Sequence, residues 1–153
     1  MNQIIPIDYK QRYQERLEKG QKFQDFVARC LMAEGLPVIL YTSTECQRLG
    51  ESANGIEIKF DDRLHETGNL YIEIAERKDP SSNWVASGIY RTDNTWLYVI
   101  GNYHKIFIFA KNVLRLVEHR FKQVSTSTSK GYLIPSDKAH KLAAKIIEVK
   151  GRG

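Results

Sequence analysis

The chain has 153 residues, 42% of them hydrophobic and 27% charged, which is enough for one domain with a real core and too short for two comfortable ones. It carries no apolar run of membrane-helix length and no signal-peptide hydrophobic region at its N-terminus, so a cytoplasmic protein without a membrane partner is expected. A formal net charge of +5 favours a polyanionic partner, although many inert proteins share that balance.

In chain order, residues Asp8 to Lys19 read as a polar helix with Tyr9 and Tyr13 four apart, interrupted at Gly20. A more amphipathic helix follows, with Phe23, Phe26, Val27, Cys30 and Leu31 on one stripe and Gly35 as its stop. Cys30 reads as core filling. Cys46 stands at no metal or redox spacing from it, which fits a reducing compartment. Pro37 to Thr42 is a short apolar strand, and Ser43 to Asn54 is polar and irregular. Gly55 to Asp61 and Asn69 to Glu76 read as strands separated by a loop. Two more are expected at Trp96–Ile100 and Lys105–Ala110, joined by Gly101-Asn102-Tyr103. Lys111 to Arg120 reads as a helix, Ser125 to Lys130 as a Ser/Thr loop leading into Gly131–Ile134, and Ser136 as the N-cap of a helix running to Val149. The order is that of a mixed α/β domain with a central sheet, spanning residues 1–153 as a single unit.

The segment Gly55-Ile56-Glu57-Ile58-Lys59-Phe60-Asp61 carries the chemistry. Strand side chains alternate, so Ile56, Ile58 and Phe60 face one way while Glu57, Lys59 and Asp61 face the other. The first set reads as core. The second concentrates two carboxylates and an ammonium on rigid backbone, an arrangement suited to a divalent ion and an attacking water. The same pattern also describes a solvated strand face. In the Asn69–Glu76 strand, Leu70, Ile72 and Ile74 face one way, and Tyr71, Glu73 and Ala75 the other.

An early helix, a first strand, an acidic residue and then a strand bearing Glu57-Ile58-Lys59 resemble the PD-(D/E)XK nuclease superfamily over residues 20 to 110. Glu51 stands at the preceding acidic position, where the usual residue is Asp, and Glu45 is its alternate. The short gap from Glu51 to Glu57 resembles the mismatch-repair nicking endonuclease. The Gly20–Leu36 helix resembles that of Holliday-junction resolvases, with Gln24 where these often carry glutamate, followed by Asp25. The resemblance implies a restriction-endonuclease-like mixed sheet flanked by helices and a Mg²⁺-dependent deoxyribonuclease, with Mn²⁺ able to substitute. Glu51 and Glu57 would ligate the ion, with the Ile58 carbonyl as a third ligand, and Lys59 would orient the water and stabilise developing charge. Asp61 and Glu73 are additional candidates for the site. A competing registration takes Asp61 and Glu73 as the two acids; it leaves Ala75 at the lysine position and needs Lys59 to substitute from the neighbouring strand.

DNA is the expected partner, with Lys138, Lys141 and Lys145 on one face of the last helix contacting phosphates. A homodimer is expected because single-site nucleases commonly pair to cut two strands. Junction, nicking, restriction and exonuclease activities all fit. The four histidines are isolated, and no phosphate-binding glycine loop or nucleophile elbow is present. Arg77 and Lys78 read as solvated, and Trp84, Tyr90, Trp96, Tyr98 and Tyr103 as core and edge packing. The rival expectations are a non-catalytic nucleic-acid-binding protein that retains the nuclease fold and a protein-interaction module.

Overall fold

The computed structural model describes residues 8–35 and 55–150. The expected Pro37–Thr42 strand and the acidic candidates Glu45 and Glu51 lie outside the described residues. The elements are α1 (Tyr9–Ala33), β1 (Ile56–Phe60), α2 (Leu64–Thr67), β2 (Asn69–Glu76), β3 (Val85–Ala86), β4 (Leu97–Gly101), β5 (Lys105–Ala110), α3 (Lys111–Val117), β6 (Lys122–Ser125), β7 (Ser129–Pro135), α4 (Ser136–Leu142) and β8 (Lys145–Glu148). Short 3-10 turns at Gly88–Tyr90 and Glu118–Arg120 complete the described chain.

The class is mixed α/β, but the strands form two four-stranded sheets rather than one central sheet. The first has the order β1-β4-β5-β8, with β1 parallel to β4 and the other pairs antiparallel. The second, β3-β2-β7-β6, is antiparallel throughout. On one face of the first sheet, Ile56, Ile58, Val99, Ile106 and Ile108 pack with Phe23, Val27 and Leu31 of α1. On its other face, Tyr98, Ile100, Phe107 and Phe109 pack with Leu70 and Ile72 of β2 and with Tyr132 and Ile134 of β7. Alternation along β1 and β4 therefore sorts their side chains between two cores.

Asp8 caps α1 by accepting from the Gln11 backbone N–H, and Gly35 closes it at φ 86°. The helix runs unbroken through Gly20, contrary to the expected interruption. An interior glycine costs about 1 kcal/mol, less than the burial of Phe23, Val27 and Leu31 contributes at about 1.5–3 kcal/mol each. The last helix is shorter than expected. It ends at Leu142 with Ala143 in an extended conformation, and the Ala144 N–H donates to the Ile108 carbonyl, starting the pairing of β8 with β5. Ser136 opens that helix without a side-chain cap, Pro135 taking the cap position. The Ser/Thr segment is the turn of a β6–β7 hairpin, with Ser125 opposite Lys130.

Candidate active site

Glu57 and Lys59 project from β1 beside Tyr98 and Ile100 of β4, their register partners, and so face away from α1. Glu57 is fully buried, and its carboxylate is 3.1 Å from Lys59 Nζ and 3.6 Å from an Arg91 guanidinium nitrogen. Neither Glu57 oxygen accepts a well-aligned hydrogen bond. The charge is balanced by two cations, yet its lone pairs retain capacity for a further partner. Lys59 keeps 36% of its side chain exposed, so the pair opens toward solvent at the lysine end.

Glu73, on β2 of the second sheet, acts on this pair electrostatically. The negative charges of Glu57 and Glu73 act together on Lys59; burial alone would lower its pKa, but the two carboxylates outweigh it and hold the ammonium above the ordinary lysine value. Burial pushes the Glu73 carboxyl up, against the pull of Lys59 and a 2.8 Å hydrogen bond donated by the Ser129 hydroxyl. Ser129 is also hydrogen-bonded to the Tyr71 hydroxyl, which extends the polar chain along β2 and β7. Burial likewise drives the Tyr98 hydroxyl well above the ordinary tyrosine value, reinforced by Glu57 and Glu73. Tyr98 thus remains a neutral phenol beside the acids.

Local backbone features fix Glu73 in place. The β2–β7 register shifts between Glu73 and Ala75, a bulge that re-aims the strand. Gly131 stands opposite Glu73, and a Cβ there would meet the Ile72 carbonyl oxygen at 2.3 Å. Gly88 (φ 53°) abuts Glu73 from the 3-10 turn, where a Cβ would come within 2.1 Å of its carbonyl oxygen. Both glycines permit a close approach that any side chain would block.

A second ion cluster supports Arg91. Its Nε lies 2.8 Å from Asp93, whose other oxygen is 3.0 Å from the buried ammonium of Lys111. Burial opposes ionisation of Asp93, but donors from Arg91, Lys111 and Thr95 hold its carboxyl well below the ordinary carboxylate range. The Lys111 ammonium also donates to the Arg91 carbonyl, which ties this loop to α3.

Asp61 accepts from the Tyr71 N–H at 2.8 Å and the Arg63 N–H at 3.1 Å, so one oxygen ties the end of β1 to β2 and the other closes the turn that follows β1. Ile58 directs its side chain into the α1 core, as strand alternation predicts, and its expected role lies on its backbone carbonyl. Gln24 is buried on α1 with Oε1 unpartnered, and no hydrogen bond or ion pair joins it to Glu57, Lys59 or Glu73. Lys138 and Lys141 lie on α4, but Lys145 stands on β8 and pairs with Glu34 at 2.8 Å; the expected three-lysine helix face does not form. The helix ends before the third lysine because Ile146 and Ile147 enter the two cores as strand residues. Arg91, Tyr71 and Ser129 were not among the expected site residues. The Arg91-Thr92-Asp93 spacing shows a local charge pair, but nothing adjacent in sequence connects it to Glu57.

The donor set suits a hard divalent cation: two carboxylates, one with unsatisfied buried oxygens, beside a lysine. Among the described residues no group of three or more His, Cys, Asp or Glu side chains gathers as a complete metal cage. Magnesium usually keeps several waters and is held by one or two protein carboxylates. Among the described residues no helix is long and apolar enough to cross a membrane. No family model, curated protein or solved structure matches this chain.

Proposed function

We propose that the chain is a metal-dependent DNA nuclease with a restriction-endonuclease-like arrangement, its site formed by Glu57, Lys59 and Glu73. The observation that carries this reading is the buried Glu57 carboxylate, short of hydrogen bonds, 3.1 Å from a partly exposed lysine on the same strand. Glu57 and Glu73 would hold Mg²⁺ or Mn²⁺. When bound, such an ion supplies Lewis acidity and lowers the pKa of a coordinated water.

The chain's own part is positioning and electrostatics. Phosphodiester hydrolysis builds negative charge on phosphate oxygens, and a fixed cation aimed at that charge stabilises the transition state. Lys59 is protonated, rigidly based on β1 and open to solvent, so its ammonium can donate to the phosphate or orient the attacking water. Arg91 approaches the same Glu57 oxygen as Lys59 and keeps its charge paired when Lys59 turns to substrate. The same Arg91–Glu57–Lys59 pairing also favours a second reading, a nucleic-acid-binding protein that retains the arrangement as a structural ion network.

The test is cleavage of linear duplex, single strand, supercoiled plasmid and four-way junction DNA with Mg²⁺, Mn²⁺ or EDTA. Cutting that requires the ion and disappears in Glu57→Ala and Lys59→Ala is expected, and the preferred substrate assigns the subclass. Salt-sensitive binding without cutting, equal in all three proteins, would favour the binding reading instead. Size-exclusion chromatography with light scattering tests the proposed homodimer.

A further inference from the structure

Beyond the acidic site, one cluster combines fixed positive charge with an aromatic ring. The Arg77 guanidinium carbon lies 4.2 Å from the centroid of the Trp84 ring, and Lys130 Nζ lies 4.5 Å from the same centroid. Arg77 also donates from Nε to the Ser127 carbonyl at 2.7 Å. The indole and the turn of the β6–β7 hairpin thus hold two cations together that would otherwise repel. Neither cation forms an ion pair with a carboxylate among the described residues, unlike Lys59, Arg91, Lys105, Lys111 and Lys145. Glu76, the neighbour of Arg77, pairs across the sheet with Ser129, and strand alternation places it on the opposite face from Lys130.

Like charges held together by an aromatic ring, without an acid to neutralise them, complement a polyanion. The cluster is half-buried and held by strand pairing, since Lys130 stands opposite Ala75 and Ala86 pairs with that same residue. It lies where β2 ends, on the opposite face of that sheet from the Glu73 carboxylate, which bonds Ser129, the register partner of Glu76.

We propose that Arg77 and Lys130, positioned by Trp84, form a phosphate-contact site for DNA, apart from the Glu57–Lys59–Glu73 site. The identity of the polymer rests on the nuclease reading, whereas the geometry of the cluster does not. Such contacts secure the strand without reading its sequence.

The test is fluorescence anisotropy of short labelled single-stranded and duplex DNA in EDTA, over a range of salt. Arg77→Gln/Lys130→Gln should weaken binding about tenfold at moderate salt and make the dependence of log affinity on log salt shallower by about 1.5, as expected for two lost phosphate contacts. Lys10→Gln/Lys19→Gln, which removes equal charge from exposed positions of α1, should weaken it much less; equal losses mean general charge only and overturn the proposal. In a Trp96→Phe background Trp84 is the sole tryptophan, and its emission should shift on adding DNA while the protein stays folded. An unchanged emission together with an unchanged salt slope overturns the proposal too. Because binding is read without metal, loss of binding in the Arg77/Lys130 variant of a protein that never cuts DNA supports this site while the nuclease reading fails. Normal binding by that variant of a protein that does cut removes this site and leaves the nuclease reading intact.

Discussion

Removing either member of the Glu57–Lys59 pair should abolish cutting, but the two removals should differ in stability. Glu57 has no exposed side-chain surface, while Lys59 retains 36% and Arg91 41%. In Lys59→Met the carboxylate stays buried with only Arg91, at 3.6 Å, to balance it. Removing one partner of a fully buried pair costs about 3–5 kcal/mol. Arg91 and the solvent at the open end reduce the expected loss to about 2–3 kcal/mol. Glu57→Gln instead removes the buried charge and leaves two cations that can rehydrate, so its loss should stay within about 1 kcal/mol. Urea unfolding in EDTA, followed by tryptophan fluorescence, measures both values, and the double variant should lose less than the sum. A Glu57→Gln protein less stable than Lys59→Met would refute the burial argument. The pH dependence carries the same signature. The raised Lys59 pKa contributes stability that is fully present below the ordinary lysine value of 10.5 and is lost as pH climbs through the folded value above it. Lys59→Met should flatten that alkaline limb.

Asp61→Asn converts one of two backbone acceptors into a donor, so about 1–3 kcal/mol of stability should be lost while cutting per folded molecule stays within a few-fold. A collapse of activity at unchanged stability would instead put Asp61 in the chemistry. Glu73 holds its proton more tightly in the folded state than its ordinary value of 4.5, so its contribution to stability is best below that value and declines as pH rises through the folded one. Glu73→Gln in EDTA should therefore gain on the wild type between acidic and neutral pH; a constant difference would contradict this. Gly131→Ala forces a methyl to 2.3 Å from the Ile72 carbonyl oxygen and 2.7 Å from the Tyr71 ring. A loss of several kcal/mol is expected, by analogy with overpacking at its upper end of about 3 kcal/mol, and a near-neutral urea midpoint would contradict the packing of β7 on β2.

What could be read locally was read well where the period was unambiguous. The alternation in Ile56–Phe60 and Leu70–Ile74 placed the apolar residues in the cores and separated Glu57 and Lys59 from them. The C-terminal segment reads as helix because Lys141-Leu142-Ala143-Ala144-Lys145 continues a helical pattern from Ser136, and only pairing with β5 decides that Lys145–Glu148 is a strand. β6 is not legible in the sequence, because Lys122-Gln123-Val124-Ser125 is a polar edge with almost no apolar alternation. The division into two sheets, and the action of the Glu73 charge on Lys59, depend on partner choices between distant segments that no local period encodes. The two alternative registrations read from the sequence share Lys59; Glu57 pairs with that lysine and the Glu73 charge also acts on it, while Asp61 bonds to backbone N–H groups.

Single-turnover cleavage of supercoiled plasmid with Mg²⁺ tests that convergence most directly, with wild type compared to Glu57→Gln, Lys59→Met and Glu73→Gln at pH 7. A site of this kind should lose at least about a hundredfold in rate with each substitution, while Asp61→Asn stays close to wild type when corrected for folded protein. Metal-dependent cutting that persists in Glu57→Gln or Lys59→Met would place the chemistry elsewhere in the chain and contradict the assignment.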